Sequence, residues 1–195
     1  MDIERPETSQ PLPPGAKKVF QGEIFEVYQW EQKLFDGSTA TFEKLKRSDT
    51  TSIIPITTDG KILLCAQEQP GKTPFTGVPG GRLEPGEDPL EGARRELREE
   101  TGYDSDDIAL WYAFQPTSKL DWAIYVFIAR NCRKIGAQNL DPGEKIELKP
   151  LGFEEFIDAA SQDESFLEID VALRLARAKN DPAKMAKIKK LFGVK

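Results

Sequence analysis

Glu87, Arg95, Glu96, Glu99 and Glu100 fall in a single stretch, GRLEPGEDPLEGARRELREETGY, bounded by Gly81 and Tyr103. If Pro89 to Thr101 is helical, a turn of about 100° per residue places Glu96, Glu99 and Glu100 on one narrow arc, because positions i, i+3 and i+4 are neighbours. Like charges at that spacing cost an isolated helix roughly 0.2–0.5 kcal/mol per pair, so the arrangement suggests a compensating cation. Donors that are all oxygen suit Mg²⁺ or Mn²⁺. The chemistry that follows is hydrolysis of a phosphoanhydride, a bond that persists until its charge is neutralised and a water is aligned. A purely structural reading pairs the charges along the helix surface instead, Glu91 with Arg95 or Arg95 with Glu99.

The elements that must position these groups are punctuated in the sequence. Leu90, Ala93 and Leu97 form an apolar stripe for a core, and Arg94, Arg95 and Arg98 spread over the remaining side. Asp88 before Pro89 reads as an N-cap, and Gly102 as the stop. Gly80, Gly81 and Gly86 allow sharp turns and close backbone approach to a ligand, so a glycine loop feeds an acidic helix.

The segment Gly81–Tyr103 resembles the Nudix box: glycine, five residues, Glu, seven residues, then Arg-Glu-hydrophobic-any-Glu-Glu-any-Gly-hydrophobic. Gly81, Glu87, Arg95, Glu96, Glu99, Glu100 and Gly102 fill its fixed positions; Leu97 and Tyr103 fill the hydrophobic ones. The resemblance implies a Nudix hydrolase with Mg²⁺ or Mn²⁺ as cofactor. Glu96, Glu99 and Glu100 would be metal ligands, Glu100 the most critical, joined by the Gly80 carbonyl, and Arg95 would orient the carboxylates. Glu87 would support the loop, through a metal-bound water or by pairing with Arg95. Family members place the general base on the box helix or on a later loop. Glu144, in DPGEKIEL, is the loop candidate and Glu147 the fallback.

Composition narrows the remaining possibilities. The chain has 195 residues, enough for one domain with a substantial core. A net charge of −6 argues against a nucleic-acid footprint. With no histidine, imidazole bases, His-ligated zinc and the usual serine or cysteine triads are excluded, and carboxylates must do the acid–base work. Cys65 and Cys132 sit in or beside apolar strands without CxxC spacing, so reduced buried thiols are expected. The N-terminus lacks the basic and apolar runs of a signal peptide and no segment approaches a membrane span. These features read as a soluble cytoplasmic protein with no membrane partner.

Along the chain, residues 1–15 read as a flexible tail and 16–195 as a single domain: an N-terminal β lobe (16–48), a core (49–163) and C-terminal helices (164–195). In the lobe, KKVFQGEIFEVYQWEQKLF and TATFEKLK flank Asp36-Gly37-Ser38, and a second hairpin turns at Asp59-Gly60. Strands are expected at 108–115, 122–130 and 145–148. Helices are expected at 154–160, 166–179 and 182–192, the second with Leu167, Val171, Leu175 and Ala178 on one face. The pattern predicts an α/β fold, which the resemblance makes an α/β/α sandwich with a mixed sheet and an N-terminal β lobe.

From about Lys17 to Ala160 the order of lobe, box, Gly-Glu loop and FEEF helix resembles the branch acting on ADP-ribose and nucleoside-diphosphate sugars. That implies a small nucleotide substrate, cleaved to a nucleoside monophosphate and a sugar phosphate. In this branch the lobe crosses to a partner in a homodimer, making Phe25, Tyr28 and Trp30 candidate base stackers. Arg47, Arg82 and Lys119 are candidate phosphate contacts. Gln67-Glu68-Gln69 lacks the arginine common after that strand, FTGVPGG replaces the usual Glu-x-Pro-Ala-Gly, and Pro116 follows the box at a shorter spacing. The substrate is therefore a class, with nucleoside triphosphate hydrolysis and a non-hydrolysing nucleotide sensor as the alternatives.

Overall fold

A computed structural model describes residues 3–194, and its most enclosed strands, at Thr50–Thr57, Ile62–Glu68 and Ile124–Lys134, carry the near-continuous apolar runs that suit a sheet covered on both sides. The strands are β1 (Lys17–Gln21), β2 (Glu26–Lys33), β3 (Thr39–Lys46), β4 (Thr50–Thr57), β5 (Ile62–Glu68), β6 (Phe75–Gly77), β7 (Gly80–Arg82), β8 (Tyr103–Asp104), β9 (Asp107–Phe114), β10 (Leu120–Asp121), β11 (Ile124–Lys134) and β12 (Lys145–Leu151). The helices are α1 (Pro89–Thr101), α2 (Phe153–Gln162), α3 (Ile169–Lys179) and α4 (Pro182–Phe192).

β4 and β11 run parallel inside an 8-stranded mixed sheet with main path β12-β5-β4-β11-β8; β6, β7 and β9 join β5, β4 and β11. Side chains alternate between the faces of a strand, so each face acquires its own core. Ile53, Tyr125 and Phe127 meet Ala93 and Leu97 of α1 on one side. Ile54, Ile56, Val126 and Ile128 meet Phe156, Leu175 and Phe192 of the C-terminal helices on the other. The result is the α/β/α sandwich with a mixed sheet. A separate 4-stranded sheet, β1-β2-β3-β10, forms the lobe.

Three local expectations change. The first lobe run is two strands, because the chain turns at residues 22–25, where Gly22 N–H donates to the Phe25 carbonyl (2.8 Å). α3 begins at Ile169 rather than Phe166, since Phe166 pairs with Thr76 and Leu167 N–H donates to the Thr76 carbonyl (2.9 Å). Leu167 therefore leaves the expected helical face and is exposed, while Val171, Leu175 and Ala178 are fully buried.

Within the stretch expected as a flexible tail, Met1 and Asp2 lie outside the described residues, as does Lys195. Further along it, Arg5 pairs with Asp49 (2.7 Å) and Asp121 (2.8 Å). Thr8 and the Gln10 carbonyl accept from the buried Lys44 ammonium at 2.8 and 2.6 Å. Those partners replace the water that burial removes from the ammonium. Cys65 and Cys132 are buried and free. Among the described residues no helix is long and apolar enough to cross a membrane.

Candidate active site

The caps of α1 fix where its side chains point. The Asp88 carboxylate accepts from the amides of Leu90 (2.9 Å) and Glu91 (3.4 Å), Pro89 occupies the first turn, and Gly102 ends the helix at φ 72°. A side chain there would be strained, and its Cβ would come within 2.5 Å of the Gly136 carbonyl. Ala93 and Leu97 are fully buried, so the helix cannot roll without exposing them. The acidic arc is thereby turned toward β7 and the loop before it.

Arg95 is the hub of that arc. Its Nε and Nη2 donate to the two oxygens of Glu87 at 2.9 and 3.1 Å, and Nη2 also to the Arg82 carbonyl at 3.1 Å. Nη1 reaches Glu96 Oε1 (2.8 Å) and Glu99 Oε2 (3.1 Å). Glu87 further accepts the Glu84 amide at 2.9 Å, which ties the loop to the helix, and its pKa is held down chiefly by Arg95. One planar guanidinium thus fixes three carboxylates, a task suited to its rigid fork of donors.

Glu100 stands apart from this cation. It is 3% exposed, and Oε2 accepts the Gly80 amide at 3.1 Å. Burial, then repulsion from Glu96, with Glu144 and Glu168 adding to it, pushes its pKa up to about 9. Burial likewise raises Glu96. The glycines here are required by contact: a Cβ on Gly81 would stand 2.3 Å from Glu96 Oε1, and one on Gly80 would stand 2.3 Å from the Thr51 carbonyl.

These groups form one end of a cavity of about 1320 Å³. Strand register explains its floor. Phe114, Ile124, Thr50 and Arg82 are neighbours across β9, β11, β4 and β7, and Tyr112, Val126, Ser52 and Gly80 form the next row on the same face. The floor therefore grades from aromatic, through aliphatic and hydroxyl, to glycine and cation beside the glutamates. Leu167, Ile169 and Leu173, all exposed, line it from the α3 side.

Of the residues expected from sequence, Gly80, Gly81, Arg82, Arg95, Glu96, Glu99, Glu100, Arg47 and Glu144 line this cavity. Arg47 stacks on Trp122 (4.7 Å to the ring centre) and lies 5.8 Å from that of Phe25, with its Nε buried and unpartnered. Glu147 is exposed on β12, away from the cavity. Lys119 instead caps the Phe42 ring at 4.8 Å. Phe25, Tyr28 and Trp30 do not line the cavity of their own chain; Trp30 is buried against Phe42 and Tyr28 donates to Glu26. Sequence reasoning missed Tyr112, Phe114 and Trp122, which read as ordinary strand aromatics, and Glu168, which carries no motif.

A divalent cation on Glu96, Glu99, Glu100 and the Gly80 carbonyl is what the box implies. Among the described residues no three acids already stand in an arrangement that would hold an ion; Arg95 takes one oxygen each of Glu96 and Glu99, and the Gly80 amide takes one of Glu100. The donor chemistry nevertheless fits a hard cation. Glu100 is a buried carboxyl group whose ionised form is opposed by its neighbours Glu96, Glu144 and Glu168, an opposition that a bound cation would relieve.

The NUDIX domain family model matches residues 46–168. The chain is 30% identical over 143 residues to the methanol dehydrogenase activator of Bacillus methanolicus, covering 72% of this chain and 77% of that one. It is 27% identical over 155 residues to the ADP-ribose pyrophosphatase of Bacillus subtilis (strain 168), covering 78% and 84%. The crystal structure of an ADP compounds hydrolase shares the fold, with a TM-score of 0.70 at 22% identity over 89% of this chain and 95% of that one. The matched segment holds the glycine loop, the Arg95 hub and the buried Glu100 together, and on that match the chain belongs to the NUDIX domain family.

Proposed function

We propose that this protein is a pyrophosphohydrolase that cleaves the diphosphate of a nucleoside diphosphate joined to a second group, ADP-ribose being the first candidate, to a nucleoside monophosphate and a sugar phosphate. The observation that carries the reading is the pairing, in one cavity, of the glutamate cluster with Arg82 and Arg47. The ADP-ribose pyrophosphatase relative supports the choice of substrate.

Mg²⁺ or Mn²⁺, held by Glu96, Glu99, Glu100 and the Gly80 carbonyl, would supply charge neutralisation for the diphosphate and acidify water. The chain's own residues do the rest. Arg95 keeps Glu96 and Glu99 in place, and the Gly80 amide keeps Glu100 in place. Arg82 and Arg47 meet the phosphate oxygens, Arg47 held over the Trp122 ring. Aromatic and aliphatic floor residues, Phe114 and Ile124 among them, receive the less polar part of the substrate and exclude water. In the reaction, water oxygen bonds to phosphorus, the bridging P–O bond breaks, and the proton passes to Glu144 on the cavity wall.

A homodimer belongs to the same proposal. Exposed Val19, Phe20, Ile24 and Phe25 give the lobe an apolar surface suited to a second copy, where Phe25 and Tyr28 would serve the partner's site, Trp30 being buried within its own lobe. The test is a product assay on ADP-ribose, other nucleotide sugars, dinucleotides and nucleoside triphosphates with Mg²⁺ or Mn²⁺. AMP and ribose 5-phosphate from ADP-ribose support the reading; pyrophosphate from triphosphates, or silence across the panel, overturns it.

A further inference from the structure

Glu168 precedes α3 at the position where a capping side chain belongs, yet it makes no side-chain bond to its own helix. It turns inward instead, and Oε2 accepts the Val78 amide at 3.2 Å. A Cβ on Gly77 would stand 2.9 Å from that same oxygen, so glycine is needed for the carboxylate to fit. The approach is not isolated. Thr76 N–H donates to the Ser165 carbonyl (3.1 Å), Leu167 N–H to the Thr76 carbonyl (2.9 Å), and Thr76 Oγ1 to Asp163 (2.8 Å). The segment before α3 therefore runs beside residues 76–78 and is bonded to Thr76 and Val78.

Two residues beyond Val78, Gly80 donates its amide to Glu100. The short connection Gly77-Val78-Pro79-Gly80 is thus gripped at its start by a carboxylate from the C-terminal helices and at its end by a carboxylate from α1. In between, the Pro79 carbonyl accepts the Ile53 amide at 2.8 Å. Pro79 has no amide to donate, so the Val78 and Gly80 amides are the connection's only two donors facing acids. A backbone fixed at three points has little freedom to let the Gly80 amide drift from Glu100.

We infer that Glu168 is a positioning residue for the cation site: by holding the Val78 amide it sets the Gly80 backbone that orients Glu100. This gives the C-terminal layer a part in catalysis beyond packing. The inference rests on the diphosphate-hydrolase reading only for its kinetic readout, since the geometric claim concerns binding of a cation.

The decisive comparison is Glu168→Gln against Glu168→Ala in the full chain, read by titration with Mn²⁺ alone and by kcat and KM for ADP-ribose. The amide oxygen of Gln still accepts from Val78, so Glu168→Gln keeps Mn²⁺ affinity and kcat within about threefold of wild type. Loss of an outer partner costs about 10–100-fold in affinity or activity, so Glu168→Ala weakens Mn²⁺ binding and lowers kcat by that factor with KM little changed. Gly77→Ala, which crowds the carboxylate without removing it, weakens Mn²⁺ binding in the same direction and serves if Glu168→Ala does not fold. Equal damage from Gln and Ala would mean that the charge itself is used and would overturn the positioning role. So would unchanged Mn²⁺ affinity in both Glu168→Ala and Gly77→Ala, or a wild type that binds no Mn²⁺. A wild type that binds Mn²⁺ but cleaves no nucleotide would contradict the proposed reaction while leaving the Glu168 comparison decisive.

Discussion

Arg95 and Glu87 are joined by two hydrogen bonds, Nε to Oε1 at 2.9 Å and Nη2 to Oε2 at 3.1 Å, and the nitrogen left over, Nη1, holds Glu96 and Glu99. The loop glutamate and two of the helix glutamates therefore share one cation. A lysine keeps the charge and loses the fork. Arg95→Lys should lower kcat by about 10–100-fold while the far-UV spectrum stays native. Steady-state kinetics beside circular dichroism checks it, and wild-type turnover would remove Arg95 from the account.

Gly81→Ala tests the closeness of the loop to the helix. The new Cβ would fall 2.3 Å from Glu96 Oε1, so either the carboxylate leaves Arg95 or the strand pairing of Thr51 with Gly81 opens. Activity should fall at least about tenfold, the scale on which supporting contacts to a metal ligand matter. Gly15→Ala, at a position before the lobe where a Cβ meets nothing within 4 Å, is the control and should leave kcat unchanged.

Glu100 predicts a pH dependence for the cation-free protein. Its folded pKa is raised from 4.5 to about 9, so across that interval the folded state binds a proton that the unfolded state has released. Stability then falls as pH rises from about 4.5 to about 9, and a cation that replaces the proton should bind more tightly over the same range. Glu100→Gln removes the cost, and urea unfolding at pH 8 without metal should find it more stable than wild type by about 1–3 kcal/mol, the scale of a buried polar group without full compensation. Equal stability at pH 5 and pH 8 in the wild type would contradict the buried-carboxylate picture.

Arg47 is held against Trp122 with its Nε unpartnered. A charge-assisted hydrogen bond to a phosphate oxygen contributes about 1.5–3 kcal/mol, so Arg47→Ala should raise KM about 10–100-fold with a smaller change in kcat. Trp122→Ala, which removes the surface the guanidinium rests on, should shift KM in the same direction. A kcat loss with constant KM would place Arg47 in the chemistry instead.

The helix that carries the acids was legible because each of its determinants is local: Asp88 and Pro89 start it, Gly102 stops it, and Leu90, Ala93 and Leu97 set its buried face. The hairpin at Asp59-Gly60 was legible for the same reason, with Gly60 at φ 79°. What the sequence hid depends on distant pairing. β6 and β7 are three residues each, too short for an alternating pattern to register. Leu167 fits a helical stripe, but Thr76 draws its backbone into a strand-like pairing before the helix can begin. Glu168 reads as one more exposed acid until Gly77 and Val78 are placed against it. Arg47 and Trp122, far apart in sequence, meet because β10 pairs with β3 and carries the chain past the end of the lobe.

The central claim is that Glu96, Glu99 and Glu100 bind the cation for diphosphate hydrolysis, with Glu100 indispensable. The most direct measurement is product analysis of the wild type and Glu100→Gln on ADP-ribose with Mg²⁺ or Mn²⁺, after both are shown to be folded. The account predicts AMP and ribose 5-phosphate from the wild type and a rate lower by at least about 100-fold, or roughly 2.7 kcal/mol of barrier, from the variant. Near-normal turnover by Glu100→Gln would contradict it.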